Sequence, residues 1–250
     1  MRTDLIASLL VDARRTGQPM VVPEKTAIPT DLVAYRVQDK VFARLWPGAH
    51  PAAWKAGGPS DRVEPTAAPI AQELVLKKPA RVSAKALGMV GVEGEVAFRV
   101  AKDLPPRGQA YGEEEIAAAI AEAVVTIEVC ASRLAKWKAA PGGWQLADFQ
   151  NHGALVVGSG TKDWRRIDFR RQPMEIRIGS RVAKATGAHS WGDPFRLMPW
   201  IVSHCARRSG GLRKGDIVTT GAWTGLEAAK AGDEVVATFP GIGEARLRID

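Results

Sequence analysis

Cysteine is scarce in this chain, at two of 250 residues, and that excludes a disulfide framework. Cys130 and Cys205 both lie in apolar surroundings and read as buried, reduced thiols. Long apolar runs are missing too. No stretch of about 18 apolar residues is present to span a bilayer, so no membrane association is expected. Asp4 and Asp12 interrupt the apolar residues near the beginning, which does not suit a secretory leader; a cytoplasmic protein is expected. The four histidines, His50, His152, His189 and His204, include no pair at zincin or finger spacing. His204 reads as structural. Ser159 and Ser190 lack a nucleophile elbow, and the Gly-rich pieces match neither a phosphate loop nor a dinucleotide fingerprint. A serine hydrolase and a nucleotide enzyme are therefore disfavoured. Acidic residues are in deficit, 27 against 35 basic, giving a net charge of +8. The excess is dispersed, in pairs such as Arg165-Arg166, Arg170-Arg171 and Arg207-Arg208, with no nucleic-acid-binding signature. It is equally suited to steering a small anionic substrate.

What is present can build a full core, with 46% hydrophobic and 25% charged residues. Residues 4–16 have a helical stripe of Leu5, Ile6, Leu9, Leu10 and Ala13, stopped by Gly17. Thr30 is placed to cap a second helix, 31–45, with Val33, Val37, Val41 and Leu45 on its buried face and Pro47-Gly48 after it. Residues 1–70 are expected to be a small helical N-terminal region and residues 71–250 a β-rich catalytic domain, in the α+β class. Strands are expected at 73–77, 90–100, 124–129, 153–158 and 173–178. A helix is expected from Glu113 to about Val124, and another from the Asp193-Pro194 start, kinked at Pro199. Gly215-Asp216 and Gly232-Asp233 each form a turn before a β-branched strand.

The segment Gly91-Val92-Glu93-Gly94-Glu95-Val96-Ala97-Phe98 concentrates the chemistry. In a strand, Glu93 and Glu95 project to one side, roughly 7 Å apart at the backbone. Two carboxylates that close either share a hard divalent cation such as Mg2+ or Mn2+, or line a solvated edge. Gly94 between them marks a close approach by ligand or backbone. Glu128 is a single acid in an apolar run, 124–129, and is either a third carboxylate of the same site or the partner of a base such as Arg133. Lys55 follows Trp54 and precedes Gly57-Gly58. It is either a surface lysine in a loop or a pocket lysine with a lowered pKa. Asp148, Gln150 and Asn151 stand at the mouth of the 153–158 strand, where loop residues commonly carry function. Thr219-Thr220-Gly221-Ala222-Trp223-Thr224-Gly225 is either a tight turn or an anion grip of amides and hydroxyls.

These pieces together resemble the 2-keto-4-pentenoate hydratase group of the fumarylacetoacetate hydrolase superfamily. Besides 91–98, the resemblance is carried by Ala34-Tyr35-Arg36-Val37-Gln38, Trp54-Lys55-Ala56-Gly57, Ile127-Glu128-Val129, Ala154-Leu155-Val156-Val157-Gly158, Gly192-Asp193-Pro194 and Thr220-Gly221-Ala222-Trp223-Thr224-Gly225. They keep the family's order along essentially the whole chain. The resemblance implies a mixed β-sheet roll with a helical N-terminal cap, and Mg2+ or Mn2+ held by Glu93, Glu95 and Glu128. It makes Lys55 a catalytic residue; the metal or a carboxylate such as Asp148 is expected to activate water, and a homo-oligomer is expected. The implied substrate is a small anionic 2-oxo or 2-hydroxy-dienoic acid from aromatic-compound breakdown, gripped by Trp54, Asn151, Thr224 and Gly225. Hydration is the reaction implied; decarboxylation, tautomerisation and C–C hydrolysis occur in the same superfamily. A non-catalytic anion- or nucleic-acid-binding protein is the rival from another class. Two positions depart from the family. Cys130-Ala131 stand where an acid is often found near 131, and Phe149-Gln150-Asn151-His152 follow Asp148.

Overall fold

The computed structural model of the chain describes residues 2–24, 26–87 and 90–250. Two helices open it, α1 (Arg2–Thr16) and α2 (Asp31–Leu45). Their ends follow local chemistry. Gly17 takes a φ of 67° just after α1, a conformation that glycine adopts without cost. The Thr30 hydroxyl accepts the Val33 N–H at 3.4 Å, a cap that contributes about 1 kcal/mol. Ile6, Leu10, Val37 and Val41 pack between the helices, and their core runs on into Trp144, Leu146 and Phe149. Gln38, fully buried, donates to the carbonyls of Leu146 and Ala67, which ties α2 to the rest of the molecule.

The remainder is built from strands. In chain order they are β1 (Ala53–Gly57), β2 (Thr66–Ile70), β3 (Val75–Lys77), β4 (Ala80–Val82), β5 (Gly91–Val100), β6 (Ile120–Cys130), β7 (His152–Thr161), β8 (Pro173–Ile178), β9 (Arg181–Thr186), β10 (Ile217–Thr219), β11 (Glu227–Ala228), β12 (Glu234–Phe239) and β13 (Gly243–Ile249). Short helices α3 (Ala84–Leu87), α4 (Glu113–Ala118) and α5 (Gly142–Ala147) and the longer α6 (Met198–Ser209) connect them. One sheet runs β2-β1-β10-β5-β6-β7-β3, with β11 also on β5; the other runs β4-β13-β12-β8-β9. Most neighbours are antiparallel, while β1–β10, β3–β7 and β4–β13 are parallel. This is the mixed-sheet, α+β architecture expected.

Several local expectations shift. Residues 53–57 and 66–70, read with the N-terminal helical region, are strands of the larger sheet. The helix from Glu113 ends at Ala118, and β6 begins at Ile120 rather than 124. Pairing with β5 along ten residues overrides the helical spacing of Ile120 and Val124. Pro199 does not kink a helix. A 3-10 turn, Pro194–Leu197, is capped by Asp193, whose Oδ1 accepts the Phe195 N–H at 2.8 Å, and Pro199 lies in the first turn of α6, where its missing N–H costs nothing. The strand expected from Glu73 is cut to Val75–Lys77 by a 3-10 turn at Gln72–Leu74.

The two sheets pack face to face over Val92, Val96, Phe98, Val125, Ile127, Ile176, Val235, Phe239 and Leu247. Phe98 meets Trp164, Phe169 and Phe195 edge-on, at 5.3, 6.3 and 5.6 Å. The reading of Gly94 as a close-approach residue holds, but what approaches is the second sheet. A Cβ there would sit 2.8 Å from Met174 Cε and 3.3 Å from Ala237 Cβ. Gly158 is tighter still, because a Cβ would lie 2.1 Å from the Glu244 carbonyl oxygen on β13. The obstacle is backbone and cannot rotate away. Gly158→Ala is expected to cost about 1–3 kcal/mol by overpacking, read as a lower urea midpoint. An unchanged midpoint would mean that β7 and β13 can separate.

Candidate active site

The sheet register gathers the polar residues on one face. Lys55 pairs with Thr219, and Thr219 with Ala97 on β5. Glu93 stands opposite Glu128, and Glu95 opposite Thr126. Side chains alternate along a strand, so Lys55, Thr219, Glu93, Glu95, Thr126, Glu128 and Cys130 share the face turned away from the second sheet. The apolar half of that face is Ala53, Ala97, Val124, Leu155, Val157 and Ile217.

Lys55 Nζ donates to Glu128 Oε1 at 2.6 Å and to the Gln150 carbonyl at 3.2 Å. His152 Nδ1 is 3.1 Å from the same Glu128 oxygen. Glu128 Oε2 and His152 Nε2 are buried with no partner. The Cys130 thiol donates to Glu93 Oε2 at 3.5 Å. Glu95 Oε2 accepts from the Thr219 hydroxyl and from the Gly221 N–H. One ligand atom each from Glu93, Glu128 and Cys130 lies within 4.8 Å of the others. Three glutamates around one lysine, Glu95 and Glu128 fully buried and Glu93 partly so, leave an excess of negative charge, and a buried carboxylate oxygen without a partner is one that a cation can satisfy. The residues therefore fit a divalent ion.

The electrostatics agree. Burial, then the charge of Glu128, raises the Glu93 pKa. Burial, with Glu128 and Glu93 nearby, pushes Glu95 up to about 8. Burial would raise Glu128 as well, but Lys55 and His152 outweigh it and hold the group at about 2. Burial lowers His152 to about 4, so it is neutral near pH 7. For Lys55, burial favours the neutral amine, yet Glu128, Cys130 and Glu93 reverse that and raise the pKa above its ordinary value. The expectation of a lowered lysine pKa is thus overturned for the cation-free protein. Of the two causes expected to lower it, a bound cation and Trp54, the second fails. Trp54 leaves β1 on the opposite face, in the apolar core against α6, with its ring 5.8 Å from that of His204. It does not face Lys55.

Phe149, Gln150 and Asn151 have φ of 52°, 53° and 58°. Three consecutive non-glycine residues in the left-handed region cost on the order of 1–3 kcal/mol each. The turn is held by its surroundings. Asn151 N–H donates to the Asp148 carbonyl at 3.0 Å, its carbonyl accepts from Ala131 at 2.8 Å, and Gln150 Nε2 donates to Thr66. The result is a Gln150 carbonyl aimed at Lys55. No side-chain pattern signals such a contact, and sequence reasoning missed it. Asn151 Nδ2 donates to Gln145 at 3.3 Å while its Oδ1 is buried and unpaired. Thr224 Oγ1 is likewise buried without a partner, and Gly225 has a φ of 78°. Their loop is pinned to β5 by Trp223 N–H donating to the Gly94 carbonyl at 3.3 Å.

Asp148 is engaged elsewhere. Its carboxylate accepts from Ser132 Oγ at 3.1 Å, from the Arg133 N–H at 2.9 Å and from the Arg133 guanidinium. Arg133, the base considered for Glu128, is thereby committed to Asp148. Beyond Gln150, sequence reasoning missed His152 and Cys130. Cys130 was detectable, being two residues from Glu128 on the same strand. His152 was not, because nothing in the sequence orients it toward β6.

Residues 48–250 match the family described as fumarylacetoacetate (FAA) hydrolase C-terminal. A 2-keto-4-pentenoate hydratase 1 of Dechloromonas aromatica is 27% identical over 97% of this chain and 95% of its own length. A 2-keto-4-pentenoate hydratase of Burkholderia vietnamiensis is 30% identical over 62% of this chain, and the match spans 58% of that protein. Among solved structures, 4-oxalocrotonate decarboxylase from Pseudomonas putida G7, complexed with calcium and acetate, superposes with a TM-score of 0.85. It is 20% identical, over 100% of this chain and 97% of its own. A second structure of that enzyme holds magnesium and adipate, with a TM-score of 0.84 over 99% of this chain and 98% of its own at 19% identity.

Two outcomes are expected. Asp148→Asn leaves the buried Arg133 charge uncompensated and should cost about 3–5 kcal/mol in urea unfolding. Lost turnover at unchanged stability would instead return Asp148 to the chemistry. The second outcome is a pH effect. Glu95 has a folded pKa of about 8, above the ordinary 4.5. Its contribution to stability is therefore complete below 4.5 and is lost as pH rises toward about 8. Metal-free protein should melt at lower temperature across that window, and Mn2+ should remove the slope. A slope unaffected by Mn2+ would place Glu95 outside the cation site.

Proposed function

The chain belongs to the fumarylacetoacetate hydrolase family, and on that premise we propose that it is a metal-dependent hydro-lyase. The reaction is addition of water to a 2-hydroxy-2,4-dienoate of the 2-keto-4-pentenoate type, in aromatic-compound catabolism. One observation carries the reading. Lys55 and three glutamates, two of them fully buried, share one face of the sheet, with a Glu128 oxygen left unpaired beside the Lys55–Glu128 contact. The near-full-length likeness to a hydratase supports the choice of reaction.

Glu93, Glu95 and Glu128 would hold the cation, Mg2+ or Mn2+ in this reading. When bound, it supplies Lewis-acid polarisation of the substrate's C1 carboxylate and C2 oxygen. The rest is the work of the chain. Asn151, Thr224 and the Gly225 amide grip the substrate carboxylate, and the buried, unpaired Asn151 and Thr224 atoms are the support for that role. Lys55 begins as an ammonium, so it first gives a proton, to a carbon of the diene. The 2-hydroxyl then returns one to the amine, and water adds to the conjugated ketone. The Gln150 carbonyl and Glu128 fix the ammonium's direction. The reduced, buried cysteines suit a cytoplasmic setting. Among the described residues no helix is long and apolar enough to cross a membrane. A homo-oligomer completes the reading, with light scattering as its check.

Two measurements test the mechanism. Lys55→Met should retain Mn2+ and fold while kcat falls by about 10²–10⁴-fold, with matching loss of deuterium incorporation followed by NMR in D2O. Exchange at the wild-type rate would remove Lys55 from proton transfer. Glu93→Gln and Glu95→Gln should each lose bound Mn2+ and activity, and stoichiometric metal in the double variant would end the carboxylate-site reading. Release of CO2 without a hydrated product would make the enzyme a decarboxylase.

A further inference from the structure

Cys130 closes β6 two residues after Glu128, so both side chains leave the strand on the same face. Its register partner is Gly91, which has no side chain to place between the thiol and Glu93. The sulfur is 3.5 Å from Glu93 Oε2. Ligand atoms of Glu93, Glu128 and Cys130 all fall within 4.8 Å of one another. Independently, Glu128 is fully buried and its Oε2 has no partner. Glu95, by contrast, already has one oxygen committed to Thr219 and Gly221.

We infer that Cys130 is a direct ligand of the cation, forming with Glu93 and Glu128 a mixed oxygen–sulfur set. The inference rests on the metal-dependent reading above and sharpens it. A thiolate draws the preference from hard Mg2+ toward thiophilic ions such as Zn2+, Co2+ or Fe2+. On ligation the thiol proton passes to solvent. Glu95 then adds a further oxygen donor to the set through its other oxygen, Oε2 being held by Thr219 and Gly221.

Cobalt provides a readout apart from turnover. Protein stripped of metal and loaded with stoichiometric Co2+ should show a thiolate-to-cobalt charge-transfer band in the near ultraviolet. Cys130→Ser should abolish the band. Cys205→Ser should keep it, because Cys205 is buried on α6 in the main apolar core. The ratio of Zn2+ to Mg2+ affinity, from competition titration, should fall by at least about tenfold in Cys130→Ser, since losing even an outer-sphere partner costs that much. Circular dichroism checks the fold, and Cys130→Ala gives the same readouts if serine is not tolerated. Co2+ bound stoichiometrically without the band, and with an unchanged ratio, would overturn the inference while leaving the carboxylate site standing. Wild-type protein that retains no Co2+ at all would overturn both.

Discussion

The molecule is organised around negative charge kept out of water. Glu128 is fully buried at the centre of the larger sheet, and Glu93 and Glu95 face it from the next strand. Isolated buried carboxylates are expensive, so everything near them acts as compensation. Lys55 supplies a positive charge at 2.6 Å, His152 approaches at 3.1 Å, and Thr219 and the Gly221 amide stabilise Glu95. Compensation is still incomplete, which is why burial and mutual repulsion push Glu93 and Glu95 upward. A cluster of this kind costs stability by itself and suits a divalent cation.

The fold makes such a site possible by separating the two faces of one sheet. The face against the second sheet is apolar, from Val92, Val96 and Phe98 on β5 to Val125 and Ile127 on β6. The other face is divided between a small apolar cluster and the charged group. Gly94 and Gly158 let the second sheet approach closely enough to hold β5 and β7 in place. The strained turn at 149–151 completes the frame by bringing a main-chain carbonyl to Lys55.

Much of this was legible in the sequence, and the failures have physical causes. Helix ends governed by one residue, Thr30 and Gly17, could be read directly. So could the Glu-x-Glu strand, because a period of two places both acids on one side. Glu128 stood out as a charge in an apolar run. What depends on partners distant in sequence could not be read. The helical spacing after Glu113 gave way to pairing with β5, and residues 53–57 became a strand because β10 lies beside them. Asp148 looked available until Arg133, fifteen residues earlier, closed on it. Lys55 was found through family likeness, but Trp54, expected to help lower its pKa, lies on the other face of β1.

The placement of Trp54 and Lys55 constrains how this gene can change over time. Adjacent residues of β1 serve opposite roles, one locked among the rings of the core, the other beside the glutamates. Inserting or deleting a single codon within this strand would exchange them, driving an ammonium into the apolar interior and an indole into the charged cavity. No gradual series of tolerable intermediates connects the two registers. Length changes are thus excluded from β1, which can evolve by substitution alone.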